Sequence, residues 1–240
     1  MPTLENTFDG GTGVNLDSLT TANAGGSGNT QFDVVSTIAP KFSNTYSHTG
    51  SQCMVTATSG AQMIRASWTP ANSNALFQRT YMRRNDNPAT VSQVFMGCFV
   101  DDLTTTGLGT FVLRWHTDGF LHAFDSTSTS RWNSGTALPL SEWVRFETWQ
   151  NRATGQARVK GWFGANLEAQ AAPDIDSGVL TGLTMNTGTL WRAAFGNCAT
   201  INTGTSWHDD VSWSSVDWIG PHVIGQPGVT TDVTVVMGAP

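Results

Sequence analysis

The glutamates are the first residues to consider for chemistry, because glycoside hydrolases built on β-sheets use paired carboxylates. The chain contains four of them: Glu5, Glu142, Glu147 and Glu168. A retaining hydrolase needs two carboxyl groups about 5–5.5 Å apart that face one cleft. Glu142 and Glu147 are five positions apart, so in a regular strand they point to opposite faces. Only a β-bulge would bring them together. We therefore expect no catalytic residues and no enzymatic activity.

The strand that carries Glu147 is predicted to have one apolar face and one mixed face. Alternation places Val144, Phe146 and Thr148 together, which is typical of a core layer. The other face would then present rings and charges away from the core: Trp143, Arg145, Glu147 and Trp149.

Two acidic segments near the ends of the chain contain candidate metal ligands. Asp9 is followed by two glycines, and Asp209 lies in the run Trp207–Trp213. Alternation places Asp209 on one face with both tryptophans of that run and Val211, where a carboxylate needs backbone N–H donors or a cation. Ca²⁺ takes carboxylate and carbonyl oxygens from irregular segments. We expect a structural Ca²⁺ if the first and last strands are neighbours, with a hydrogen-bonded Asp209 as the alternative.

Trp132 is the candidate for contact with a sugar. Most of the ten tryptophans are expected in the core, but Trp132 lies in segment 125–135, which is predicted to be a loop without apolar neighbours. With Arg131 and Asn133 beside it, the indole could stack on a sugar ring. The alternative is an indole that folds back onto the body of the domain.

The histidines and cysteines predict no further metal centre. His116 and His122 flank a predicted hairpin and could oppose each other across it, but a lone histidine pair is more typical of a structural role. Cys53, Cys98 and Cys198 cannot all pair, and we expect three free thiols that behave as small apolar side chains.

Composition and patterning predict an all-β fold. Charged residues make up only 12% of the chain, against about 25% in ordinary soluble domains. Short alternating runs recur between turn residues, and hairpins over 111–124 and 143–163 are the best specified. We expect a two-sheet antiparallel sandwich over residues 1–221. Residues 222–240 are expected to form an extended arm that pairs with a neighbouring subunit, with a disordered tail as the alternative.

The charge distribution argues against two classes of partner. The formal net charge is −6, and no basic run extends beyond Arg83-Arg84, so we expect neither nucleic acid nor a membrane surface as a partner. The first 30 residues are polar and lack a charged-then-apolar start, so we expect no export signal.

Five motifs in order carry a family resemblance: Phe8-Asp-Gly-Gly11, Arg65-Ala-Ser-Trp68, Trp143-Val-Arg-Phe-Glu147, Asp209-Asp-Val211 and Trp218-Ile-Gly-Pro221. Together they resemble the concanavalin A-like (laminin G-like) jelly rolls, and in particular virion proteins of tailed phages that infect actinobacteria. The resemblance covers roughly residues 4–221. The stretch after Pro221 has no counterpart in it.

The resemblance implies a non-enzymatic capsid decoration or minor tail protein. Its partners would be other virion proteins, further copies of itself and host cell-wall carbohydrate, and it would be located in the virion. A structural Ca²⁺ between the chain ends is common in such jelly rolls, which supports Asp9 with Asp209 or Asp210 as ligands. Cytoplasmic assembly fits the lack of an export signal and the free thiols. A soluble carbohydrate-binding lectin is the alternative function, and a glycoside hydrolase or lyase is a third.

Overall fold

The computed structural model describes residues 3–25, 29–58, 63–69, 74–89, 92–100, 109–170, 172–186, 192–199 and 204–222. The predicted C-terminal arm, 222–240, lies outside these residues except for His222. None of the helical structure in the described ranges is long and apolar enough to cross a membrane.

Within the described ranges, the chain forms antiparallel β-strands and one 3-10 turn, at Gly164–Asn166. The strands are β1 (Leu4–Asn6), β2 (Val34–Val35), β3 (Lys41–Ser43), β4 (Cys53–Thr58), β5 (Ile64–Trp68), β6 (Ala75–Arg83), β7 (Gln93–Phe99), β8 (Gly109–Trp115), β9 (Phe120–Asp125), β10 (Ser130–Ala137), β11 (Trp143–Asn151), β12 (Gln156–Phe163), β13 (Ile175–Asp176), β14 (Arg192–Asn197) and β15 (Gly204–Ser214).

The strands form two antiparallel sheets. Sheet 1 has the order β13-β12-β11-β6-β15-β4-β3, and β1 pairs with the second half of β15. Sheet 2 has the order β10-β9-β8-β7-β14-β5-β2. Both predicted hairpins are confirmed, as β8–β9 and β11–β12. The all-β, two-sheet fold predicted from the alternating runs is therefore correct, and the first and last strands are hydrogen-bonded neighbours.

The core lies between the facing sides of the two sheets. Phe146 of sheet 1 and Phe95 of sheet 2 are both fully buried, and their ring centroids are 4.9 Å apart. Val144 belongs to the same apolar cluster, which confirms the core face predicted for β11. Burying a large apolar side chain contributes about 1.5–3 kcal/mol, so this layer is the main source of stability. Cys53, Cys98 and Cys198 are buried free thiols, as expected.

The loop predicted around Trp132 is instead an edge strand, β10, paired with β9. Its side chains are mostly polar and exposed, because an edge strand of this sheet has little to pack against. Register shifts after Ser130 and after Asn133 interrupt the alternation, and a period of two is therefore not visible in the sequence.

The single face predicted for Trp207, Asp209, Val211 and Trp213 is also wrong. The pairing of β15 with β6 shifts register between Asp209 and Ser212, and Asp210 within the bulge has a φ of 45°. Val211 and Trp213 join the core cluster, whereas Trp207 packs on the ring of Tyr46, outside it. The bulge exchanges the two faces of the strand halfway along its length.

Candidate functional site

The outward side of sheet 1 is covered by the chain itself. We call it the covered face; its central side chains are Arg79 and Tyr81 of β6, Arg145 and Glu147 of β11, and Lys160 and Trp162 of β12. They alternate with core residues, yet Arg79 is only 2% exposed and Arg145 and Glu147 only 1%. Three segments contact this face: residues 45–50, 164–170 and 217–222.

Arg145 and Glu147 hold two of these segments. The Arg145 guanidinium donates to the carbonyls of Leu167 and Ala169, at 2.9 and 2.7 Å. Its Nε lies 3.2 Å from Oε1 of Glu147. The other oxygen of Glu147 accepts the backbone N–H of Gly220 at 3.2 Å. The sequence predicted the direction of these side chains correctly, but not that distant segments would bury them.

Arg79 holds the two ends of the described chain together. It donates to the carboxylate of Glu5 and to the carbonyls of Gly220 and Asp210, at 2.9 and 3.1 Å. Glu5 lies on β1, Asp210 in the β15 bulge and Gly220 in the segment after β15. A single buried guanidinium therefore fixes three parts of the chain that are far apart in sequence.

His48 stands between two carboxylates on the same face. Its Nδ1 lies 2.5 Å from Oδ2 of Asp210 and its Nε2 lies 2.7 Å from Oε1 of Glu168. The imidazole stacks on Tyr81 with ring centroids 3.8 Å apart, and the Tyr81 hydroxyl donates to Glu168 at 2.8 Å. Burial raises the pKa of Tyr81, so the phenol remains a protonated donor.

Asp209 is buried and accepts three backbone N–H groups. His48 and Thr49 donate to its Oδ2, at 2.8 and 3.3 Å, and Asp210 donates to its Oδ1 at 2.9 Å. Burial, together with the nearby charge of Asp210, raises the pKa of Asp209 well above its ordinary value. The backbone donors that the sequence analysis offered as the alternative to a cation are present.

Asp9 accepts hydrogen bonds from the same loop. Its Oδ1 accepts the N–H groups of Ser51 and Gln52, at 2.7 and 3.0 Å. Gly50 has a φ of 63°, and a Cβ there would lie 1.7 Å from Oδ2 of Asp9. Only glycine fits this turn without displacing the carboxylate.

The expected Ca²⁺ ligands do not form one cluster. Asp9, Asp209 and Asp210 each accept hydrogen bonds from the loop at 48–52. Among the described residues, none of these three aspartates belongs to a group of three or more His, Cys, Asp or Glu residues whose ligand atoms all lie within 4.8 Å of one another. Ca²⁺ binding at these aspartates stays a prediction.

A pocket of about 120 Å³ opens on the covered face. It is lined by Arg145, Glu147, Lys160, Trp162, Gln170, Trp218, Ile219 and Gly220. The Arg145 guanidinium lies over the indole of Trp162 and the Lys160 ammonium over the indole of Trp218, each 3.9 Å from the centroid. Within the described ranges, the Lys160 ammonium has no hydrogen bond or salt bridge to another side chain.

The predicted sugar contacts lie on the other sheet. Trp132 on β10 is half-buried against the main core, Arg131 donates through Nε to Asp125 at 2.6 Å, and Asn133 accepts the N–H of Gly135. Glycan binding by these three residues stays a prediction. The indoles of Trp162 and Trp218 were not singled out from the sequence.

The register of the β11–β12 hairpin is the feature of the sequence from which Trp162 can be assigned to the covered face. The well-specified β11–β12 hairpin places Trp162 opposite Arg145 and Lys160 opposite Glu147. Because Arg145 and Glu147 are predicted to point away from the core, their partners on β12 point the same way, which places Trp162 and Lys160 on the same face. Strand pairing gives no comparable signal for Trp218, because it lies after β15, the last strand of the described residues.

The Glu5–His222 contact predicts a pH dependence of stability. Burial disfavours the Glu5 carboxylate, but the hydrogen bond from His222 and the charge of Arg79 lower its pKa to about 2. Burial likewise disfavours charged His222, but its hydrogen bond to Glu5 and the charges of Asp210 and Glu5 raise its pKa. The Glu5 contribution is complete above the ordinary pKa of 4.5 and is lost as pH falls towards 2. The His222 contribution is complete below 6.5 and is lost as pH rises through the folded-state pKa.

The two windows overlap between pH 4.5 and 6.5. We expect His222→Gln to lower the melting temperature most within this window and least above the folded-state pKa of His222. Melting curves of both proteins across the range measure the difference. A difference that does not change with pH would contradict this assignment.

No family model matches this sequence, and no curated protein is significantly similar to it. Several solved structures are similar in fold. The alginate lyase vAL-1 from Chlorella virus is 11% identical with a TM-score of 0.50, and the match covers 77% of this chain and 92% of that one. The cellulose-induced protein Cip1 is 16% identical with a TM-score of 0.48, covering 76% and 88%. The SAP-like pentraxin from Limulus polyphemus is 9% identical with a TM-score of 0.45, covering 67% and 75%.

At these identities the likeness shows the fold alone. The chain is an antiparallel jelly-roll sandwich of the concanavalin A-like kind, as the sequence motifs implied. A fold of this kind supports many functions. The function must therefore be argued from the residues of the covered face.

Proposed function

We propose that this protein is a non-enzymatic, carbohydrate-binding virion protein whose pocket on the covered face binds an acidic glycan. The observation that carries the proposal is the ammonium of Lys160, which lies over the indole of Trp218 at the pocket. Among the described residues it has no hydrogen bond or salt bridge, although the carboxylates of Glu147, Asp176 and Asp217 are near enough to attract it. Trp218 is partly exposed, and an indole offers a flat apolar face to a sugar ring; Trp162 is buried and forms the wall of the pocket. A cation beside the exposed indole favours a sugar that carries a carboxylate or a sulfate.

The size of the pocket supports a single anionic substituent as the inserted group. Its volume of about 120 Å³ is below that of a cavity of about 150 Å³ that holds benzene. A sugar ring therefore rests at the mouth, with only its charged substituent inside. Trp218 and Lys160 are at the mouth, because Lys160 is partly exposed whereas Arg145 and Glu147 are buried.

The hydrogen bonding of the ionisable groups supports binding without catalysis. Arg79, Arg145 and Glu147 hold the covering segments, and Tyr81 donates to Glu168. A general acid or base must reach the proton that it transfers. These side chains are instead engaged with the protein itself and serve to position the segments that form the pocket.

Replacing Lys160 tests the binding site. Loss of a hydrogen bond between charged groups costs about 1.5–3 kcal/mol, which corresponds to a roughly 10- to 100-fold weaker affinity. We expect this loss for Lys160→Met with a polyuronate or a sulfated polysaccharide, measured by calorimetry, and no binding of a neutral glucan. Lys41→Met is the matched control, because Lys41 is the only other lysine and is exposed.

The polyuronate and the sulfated polysaccharide distinguish the two anionic groups. Equal affinity of the wild type and Lys160→Met for both polymers would refute the site. Release of reducing ends or unsaturated sugars by the wild type, abolished by Glu147→Gln, would refute the non-enzymatic assignment and favour a hydrolase or lyase.

The proposed place in a virion rests on the resemblance of the sequence motifs to those of virion proteins of actinobacterial phages. The proposal includes contacts with other capsid or tail proteins and with host cell-wall glycan. Immunogold electron microscopy of purified virions tests it: labelled heads or tails support a decoration or tail protein. Unlabelled particles would favour a soluble lectin.

A further inference from the structure

We propose that the β8–β9 hairpin holds a transition-metal site of the Zn²⁺ class, with His116, Asp118 and His122 as ligands. The two histidines were expected to oppose each other without a metal. The structure adds a carboxylate between them, because Asp118 lies in the turn that joins the two strands. Two imidazoles and one carboxylate form a donor set that is characteristic of Zn²⁺ and chemically similar divalent ions.

The three ligand atoms are close enough for one ion. Nδ1 of His116 and Nε2 of His122 lie 3.2 and 3.0 Å from the same oxygen of Asp118, and all three atoms are within 4.8 Å of one another. Zn–ligand distances of about 2.0–2.1 Å in a tetrahedral site place ligand atoms about 3.4 Å apart. An ion could therefore bind between these atoms if the two distances from the Asp118 oxygen to the histidine nitrogens increased by a few tenths of an ångström.

The backbone of the hairpin fixes the positions of the ligands. His122 lies opposite Arg114 in the regular β8–β9 register. The N–H of His116 donates to the carbonyl of Phe120, and the N–H of Gly119 donates to the carbonyl of His116, each at 3.0 Å. Gly119 has a φ of 83°, which glycine adopts without strain. The ligands thus lie on a tight, hydrogen-bonded turn.

Hydrogen bonds from neighbouring residues orient Asp118 and His122 so that Oδ2 and Nε2 face the proposed ion. The other oxygen of Asp118 accepts the N–H of Phe120 at 2.8 Å, so its Oδ2 faces the histidines. Nδ1 of His122 lies 3.3 Å from the Ser130 hydroxyl on β10, so its Nε2 faces the site. Such supporting hydrogen bonds orient metal ligands and are a regular part of metal sites.

The site is accessible to solvent and has room for an external ligand. The side chains of His116 and Asp118 are 36% and 40% exposed, and that of His122 is 13% exposed. Three protein ligands leave a fourth tetrahedral position for water or another donor. Ca²⁺ requires six to eight oxygen ligands, so this nitrogen-rich site selects against it.

Calorimetric titration of the full chain, prepared without a histidine tag, with ZnCl₂ tests the site. We expect one equivalent of Zn²⁺ to bind and the melting temperature to rise, because the ion binds only the folded hairpin. His122→Gln and Asp118→Asn should each weaken binding at least tenfold. Asp86→Asn, which removes an exposed carboxylate from another loop, should not change it. CaCl₂ should give no specific heat.

An anomalous-scattering map at the zinc edge gives a readout that does not depend on the variants folding. A peak bonded to His116, Asp118 and His122 supports the proposal. Absence of binding by the wild type, unchanged affinity in both ligand variants, or a peak at other residues would overturn it.

Discussion

Arg79→Met is expected to lower the free energy of unfolding by about 2–6 kcal/mol, because the carbonyls of Asp210 and Gly220 lose a charged donor and each buried polar group left unsatisfied costs about 1–3 kcal/mol. Arg79 is 2% exposed, and its three nitrogens donate to Glu5, Gly220 and Asp210. Methionine fills much of the same volume but leaves the carbonyls of Gly220 and Asp210 without this donor, while the Glu5 carboxylate keeps its hydrogen bond with His222. The segment at 217–222 should therefore detach before the sandwich unfolds.

Chemical denaturation gives the change in stability, and hydrogen exchange at Gly220 reports the detachment. Arg158→Met is the matched control: Arg158 pairs with Asp176 at the surface, with side chains 34% and 29% exposed. Exposed pairs contribute about 0–1 kcal/mol. Equal losses for the two variants would contradict the role assigned to Arg79.

Asp209→Ala is expected to cost about 3 kcal/mol or more, because the N–H groups of His48, Thr49 and Asp210 lose their acceptor and each buried unsatisfied donor costs about 1–3 kcal/mol. Asp209→Asn should cost much less. Its amide oxygen still accepts the N–H groups of His48 and Thr49, and the variant removes the repulsion between the Asp209 and Asp210 carboxylates, which helps to raise the pKa of Asp209.

The same pair of variants tests the predicted Ca²⁺. If Ca²⁺ is bound by Asp9, Asp209 and Asp210, elemental analysis finds it, and CaCl₂ added back to chelator-treated wild type raises the melting temperature by several degrees. Asp209→Asn then abolishes that recovery. If backbone donors alone stabilise Asp209, CaCl₂ has no effect and Asp209→Asn is milder than Asp209→Ala. Equal damage from both substitutions without bound metal would refute the hydrogen-bonding account.

On the covered face, the sequence predicts the direction of the side chains but not their burial. Period-two alternation fixes the direction of Arg145 and Glu147, since it depends only on neighbours along one strand. Their burial depends on the carbonyls of Leu167 and Ala169 and on the N–H of Gly220, and no local pattern in the sequence indicates that these groups contact β11. The third segment, 45–50, is positioned by Asp209, which accepts the N–H groups of His48 and Thr49 from 160 residues or more away along the chain.

The sequence by itself determined the all-β sandwich, both hairpins, the core face of β11 and the free thiols, because alternation, turn residues and cysteine count are local properties. The tertiary structure alone decided the bulge at Asp210, the edge strand that carries Trp132 and the pocket beside Lys160. Each of these depends on which distant segments pack together. Packing between distant segments is set by the shape and hydrogen bonding of the whole fold, which a local pattern does not encode.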